Sequence, residues 1–380
     1  MNIMVLDSNF KPVTILDSFE SIVWADRYRS YGDFELYTSV NSDILSQIKK
    51  NYYVINGNSE HVMIIEELLI KTDVEEGNKI SITGRSLESI LDRRIVWGLK
   101  TLNGNLQDAI KTLLDDCIIS PSDTNRKIEN FIFEYSDNPA ITSLTINTQY
   151  TGDNLYDVIA SICEEKKIGF KITLNQNNQF VFSLYKGIDR SYNQSENSYV
   201  VFAPEFENII NSSYLTSNKD MKNVALIGGE GEGDDRKYTS IGSAKGLDRR
   251  ELFVDARDIS SNIDDTELST DEYNSLLQQR GNERLSEKSD KVAFEGEVET
   301  ALMFKYGVDY FLGDIVTIRN EYGIEESPQI IEIIESLDEN GYSVIPTFKY
   351  ENDEEYILSE SNDIIDTESG DGLLLETGIE

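Results

Sequence analysis

Residues 225–238 read ALIGGEGEGDDRKY, with Gly228, Gly229, Gly231 and Gly233 falling within six positions directly after a short apolar run. Glycine-rich loops that follow strands often cradle phosphates on their free N–H groups. A phosphate loop of that kind needs a Lys and then a Ser or Thr after the glycines. Here the glycines alternate with Glu230, Glu232, Asp234 and Asp235. Four carboxylates in that space repel a pyrophosphate, and the following RKYTSIG has the alternation of a strand, not of a helix. Calcium takes about six to eight oxygens from a chain that curls around it. The stretch lacks the D-x-[DN]-x-[DN]-G spacing that makes such a curl. The favoured reading is structural: glycines at the end of a strand mark a bulge or the close approach of another backbone or subunit. Arg236 is expected to pair with the acids beside it.

Other chemistry is bounded by counts. The chain has one histidine, His61, which excludes any site needing two, and its place in NGNSEHVMII predicts a surface side chain at a loop-to-strand junction. Cys117 and Cys163 fall on the apolar sides of predicted helices and read as small buried hydrophobes. Two cysteines exclude a disulfide framework and a cysteine-rich zinc site. With 70 acidic residues, a pair of carboxylates for sugar hydrolysis can be drawn almost anywhere, so that signal carries no weight. No cofactor is expected.

The elements that would position these residues form a strand-rich α+β pattern over 380 residues, a length that predicts two or three domains. Residues 17–40 read as a strand pair turning at Gly32-Asp33, with Phe34 and Leu36 alternating against Glu35 and Tyr37. Residues 60–86 read as a hairpin reversing near Gly77-Asn78. Ser86 is expected to cap a short helix, LESILDRRI. Apolar stripes at helical spacing mark 105–118 (Leu106, Ala109, Ile110, Leu113, Leu114) and 151–170 (Leu155, Val158, Ile159, Ile162), the second ended by Gly169. A hairpin turning at NQNN follows. Ser269 and Glu272 form a capping box for a further helix within 261–290, which Gly281 weakens. DYFLGDIVTI reads as a strand entered through Gly313-Asp314, and 329–351 as a hairpin turning at ENG. The hairpins at 64–85 and 330–349 both open on Ile-Ile-Glu and carry an acidic, glycine-containing turn, which suggests an internal repeat.

Net charge is −36. Such a surface repels nucleic acid and anionic membranes. From Glu351 to Glu380 there are eleven acids and no Lys or Arg, a solvated tail or one ordered by a partner. No run approaches the about 20 apolar residues of a spanning helix, and the N-terminus has no secretory pattern. A soluble protein made in a cytoplasm is expected.

Three stretches together resemble the Siphovirus tail-hub family, which is related to the baseplate hub of contractile tails. Trp24, Arg27, Tyr28, Gly32, Phe34, Glu35 and Leu36 fit a W-x-x-R-Y-x-x-x-G-x-F-E-L pattern. Gly228 to Arg236 (GGEGEGDDR) is followed by GLDRRELFVDARD at 246–258. YFLGDIVTI carries Gly313 and Asp314. The set spans about 20–350. The resemblance implies two β-barrel-like domains related by duplication (1–100 and 201–350, the second with a helical insertion at about 261–290), an α+β middle domain (101–200) and an acidic tail (351–380). It also implies a homotrimeric ring in the virion, assembled in a bacterial cytoplasm. The ring would join tail tube to tip, baseplate or fibre proteins and gate a central channel through which genome DNA passes without specific binding, with no enzymatic chemistry. The alternatives are a tail-associated cell-wall hydrolase and a receptor-binding tip protein; the short acidic stretch after Lys349 is expected to leave no room for a fused hydrolase domain.

Overall fold

The computed structural model describes residues 1–73, 77–263, 266–289, 291–298 and 303–349; the acidic tail lies outside them. Strands come first: β1 (Ile3–Leu6), β2 (Pro12–Leu16), β3 (Ser21–Arg27), β4 (Asp33–Ser39), β5 (Tyr53–Asn56), β6 (Val62–Asp73) and β7 (Gly77–Ser86). Period-two burial sets their faces: Ile80, Ile82 and Gly84 of β7 point inward, while Lys79, Ser81, Thr83 and Arg85 point out. The chain then leaves the sheet for a middle module holding α1 (Leu106–Leu114), α2 (Leu155–Glu165), β8 (Gly169–Leu174) and β9 (Phe180–Tyr185). Asn105 and Asn154 cap the two helices through their side chains. The expected stripes pack inward, and both cysteines are buried with them.

The chain re-enters the sheet with β10 (Ile209–Ser217). An excursion follows: β11 (Val224–Gly228), β12 (Tyr238–Ile241), β13 (Glu251–Asp255) and α3 (Thr270–Ser286), whose capping box at Ser269 and Glu272 is formed. This excursion has its own small core and includes a three-stranded sheet as well as the expected helix. The last strands are β14 (Lys291–Val298), β15 (Gln329–Asp338) and β16 (Gly341–Lys349).

Eleven strands form one sheet in the order β10-β14-β16-β15-β3-β4-β7-β6-β5-β1-β2. The strands of both terminal regions therefore share a single open sheet, and no barrel closes among the described residues. Within it, β3-β4-β7-β6 and β10-β14-β16-β15 have the same order: two antiparallel neighbours (a tight hairpin in the first group, strands split by the excursion in the second), then the second and first strands of a later hairpin. All the pairings in both groups are antiparallel, as is the β15–β3 join. No helix among the described residues is long and apolar enough to cross a membrane.

Three local expectations need correction. Residues 87–93 form a 3₁₀ helix that Ser86 does not cap, because its hydroxyl accepts the Gly32 N–H at 2.8 Å. The 155–165 helix ends at Lys166, with Lys167 left-handed (φ 53°); Gly169 is instead the first residue of β8. Gly313-Asp314 sits in a turn, and the strand beyond it is only Thr317–Arg319.

Candidate functional site

The residues of the first and third sequence stretches meet at the join between the two strand groups. Trp24 is fully buried, and its indole N–H donates to Asp26 at 2.9 Å. Arg27 faces outward and spans the join, donating to Glu332 of β15 at 2.6 Å and to Asp33 of β4 at 2.5 Å. Phe34 packs beside Trp24 with ring centroids 5.9 Å apart, and exposed Glu35 accepts from Ser81 at 2.9 Å. Gly32 lets the turn fold under: a Cβ there would lie 2.1 Å from the Ala25 carbonyl oxygen.

Tyr28 is the wedge of this join. Its N–H donates to the Ile331 carbonyl at 2.9 Å, and its buried ring lies between Gly169 of the middle module and Gly313. A Cβ on either glycine would come within 2.3 or 2.4 Å of the ring. Gly313 also has φ +93°, which favours glycine on backbone grounds alone. Asp314, 2% exposed, accepts from the Ile188 N–H (2.7 Å), the Phe311 N–H (3.0 Å) and the Arg190 guanidinium (2.7 Å). One aspartate thus fixes the segment leaving β9 against the start of β15.

The glycine-rich stretch lies elsewhere, at the end of β11. A Cβ on Gly229 would sit 2.3 Å from the Tyr273 hydroxyl of α3, so the glycine marks close approach of that helix. Glu230 accepts the Ser261 N–H and hydroxyl at 2.9 and 2.6 Å. Gly231 and Gly233 have positive φ. Glu232, Asp234 and Asp235 are exposed, and no metal-binding cluster of three His, Cys, Asp or Glu occurs among the described residues. Arg236 does not pair with these neighbouring acids. It reaches back across the strand to the Gly228 and Gly229 carbonyls (2.8 and 3.1 Å) and to Asp255 of β13 at 2.6 Å. The Gly228 carbonyl also accepts the Ala256 N–H at 2.8 Å, so the guanidinium fork adds a second donor there and supplies the donor to the Gly229 carbonyl.

His61 is not on the surface. It is 3% exposed, with Nδ1 at 3.1 Å from Glu88, which is itself fully buried and also accepts the Ile172 N–H at 2.7 Å. Asp26 is buried nearby and held by Ser59 at 2.6 Å. Burial alone would push the imidazole pKa down, but Asp26 and Glu88 override it and raise it to about 9. Burial raises the Asp26 pKa; for Glu88, His61 and hydrogen bonds outweigh burial and lower it. A protonated His61 therefore ties the sheet to the middle module through charge. Sequence spacing gave no signal of this, because Asp26, His61 and Glu88 come from three separate elements.

Among curated proteins, none matches the chain in sequence. Solved structures share its fold. The prophage tail protein gp18 of Listeria monocytogenes EGD-e is 14% identical, with TM-score 0.53, over 93% of this chain and 95% of that one. The 43 kDa tail protein of prophage MuSo2 from Shewanella oneidensis is 13% identical, with TM-score 0.56, over 92% and 98%. A tail protein from Neisseria meningitidis MC58 is 12% identical, with TM-score 0.55, over 92% and 96%. The three stretches at 24–36, 228–258 and 310–318 all fall inside residues 2–348, which match one family model, and the chain belongs to the Siphovirus ReqiPepy6 Gp37-like protein family, with the fold of phage tail proteins.

Proposed function

We propose that the protein is a structural virion component: the hub at the distal end of a phage tail, a homotrimeric ring that joins the tail tube to tip or fibre proteins. The carrying observation is the repeated order β3-β4-β7-β6 and β10-β14-β16-β15 in one antiparallel sheet. We read it as a duplication in which residues 1–100 and 201–350 each contribute one unit. Two like units per chain and three chains give six quasi-equivalent positions, which suits a sixfold tube.

The outward face of the sheet fits a channel wall. Arg27, Lys79 and Arg85 on that face are each ion-paired, with Asp33 and Glu332, with Glu20, and with Glu66 and Asp92. Cations committed to carboxylates do not release counterions from DNA, so a phosphate backbone slides past without a salt-dependent grip. The role is architectural and conformational, with no covalent step.

Light scattering of the purified protein tests the ring. A species near three times 43.2 kDa is the expected result. A mass of one subunit at every concentration refutes the ring.

A further inference from the structure

The repeated strand order also defines how one copy would meet the next, an inference that rests on the hub reading above. The two long hairpins can be superimposed on their bulges. Register shifts between Ile65 and Glu67 in one and between Ile330 and Glu332 in the other, and then Glu67 faces Thr83 as Glu332 faces Thr347. Moving one strand inward, Glu35 faces Thr83 as Glu295 faces Thr347, and Phe34 faces Gly84 as Phe294 faces Phe348. One strand further, Trp24 faces Phe34 and Ala25 faces Asp33; Tyr214 faces Phe294 and Leu215 faces Ala293. Thus Tyr214 corresponds to Trp24, Leu215 to Ala25, Leu69 to Ile334 and Ile70 to Glu335.

Inside the chain, the two units join where β15 meets β3, with Ile334 opposite Ala25 and Glu335 opposite Trp24. The first residues of β15 are covered by the 313–315 segment, and its second half is paired with β3. The first residues of β6 are likewise covered, by β5 and residues 51–52, but beyond Ile65 that edge has no strand among the described residues. At the other end of the second unit, β10 is an edge strand among the described residues. Both open edges carry uncovered apolar side chains: Leu69 is 44% exposed, Ile70 50% and Leu215 52%. An open edge with apolar residues is a pairing site unless something covers it.

We propose that β10 of one copy adds antiparallel to the free half of β6 of the next. Leu69 then lies opposite the partner subunit's Leu215, and Ile70 opposite the partner subunit's Tyr214. The contact reproduces between chains the join already made within one. Each copy offers one edge of each kind, so the contact is head-to-tail and repeats until a ring closes.

Full-length double variants test the register. Adjacent opposed positions alternate between close and wider spacing, so L69C/L215C and I70C/Y214C together include one pair suited to a disulfide. Cys117 and Cys163 are buried and stay in place. Oxidation of one of these variants should give covalent chains up to three and no longer, while the shifted pair L69C/S213C should not cross-link. A separate L69D variant should weaken association about tenfold or more, since a carboxylate would replace one half of a buried apolar pair. A trimer by mass that cross-links only in the shifted pair overturns the register and leaves the hub reading standing. A native protein that stays monomeric overturns both.

Discussion

Replacing His61 with glutamine removes the positive charge between Asp26 and Glu88 while keeping a side chain of similar reach. A histidine held at about 9 against its ordinary 6.5 is favoured in its protonated form by about 3 kcal/mol. Removing one partner of a buried charge pair costs about 3–5 kcal/mol, so the two routes to the magnitude agree. The sign follows from where the proton is held. The folded protein binds it more tightly than the unfolded chain, so the stabilisation is complete below pH 6.5 and is lost as pH rises through 9, by up to about 1.4 kcal/mol per pH unit. Asp26, raised by burial, works in the same direction at lower pH. His61 is the only histidine in the chain, so the window from 6.5 to 9 reports mainly on it. Urea unfolding followed by fluorescence is the assay, and Trp24 is a local probe because its N–H bonds to Asp26. The native protein should lose stability across this window, whereas H61Q should start about 3 kcal/mol lower at pH 6.5 and stay nearly flat. Parallel profiles for the two proteins, or a loss below about 1 kcal/mol at pH 6.5, refute the charge assignment.

Gly313→Ala places a Cβ against the Tyr28 ring at a left-handed φ and should cost about 1–3 kcal/mol. Gly323→Ala, at a similar φ but with open space around it, should cost only about 1 kcal/mol in the same thermal unfolding experiment. Arg236→Ala removes the guanidinium donor from the Gly229 carbonyl and the ion pair with Asp255, while the Gly228 carbonyl keeps the Ala256 N–H, and should destabilise by about 1–2 kcal/mol; Arg236→Lys, lacking the planar fork, should recover only part of that. Calorimetric titration of the full chain with calcium, and separately with ATP, should give no heat assignable to residues 228–236, because Glu230 is already engaged by Ser261. Heat abolished by changing Glu232, Asp234 and Asp235 to amides would overturn the structural assignment of that stretch.

Sequence patterning reached the hairpins, the inner faces of the two middle helices and the capping box, because each is set by neighbours a few positions away. It placed the two Ile-Ile-Glu openings in register with each other. The bulges put Glu66 opposite Ile331 in the comparison instead, one position off, and only pairing partners across the sheet reveal that shift. Gly169 looked like a helix terminator because a glycine near the end of a helical stripe usually is one; its real constraint is the ring of Tyr28, just past the end of β3. Arg236 and His61 were misassigned for the same reason. Their counterions, Asp255 for the first and Asp26 and Glu88 for the second, are brought near by folding and not by spacing. The convergence of Tyr28 and Gly313 joins positions hundreds of residues apart, which alternation and capping rules do not address.

The β15–β3 join carries a consequence for biosynthesis. Arg27 waits for Glu332, 305 residues later, and at about 5–20 residues per second a ribosome takes roughly 15 to 60 s to deliver it. Throughout that time β3 and β4 can pair with each other, yet the outer edge of β3 has no strand to cover it. Nascent chains on one polysome then present matching bare edges in close proximity. Chains released before β15 (Gln329–Asp338) is made keep that edge permanently, so premature termination ahead of Gln329 should yield sticky fragments, and a fragment's β3 edge would capture β15 from an intact neighbour in a swapped, dead-end pairing.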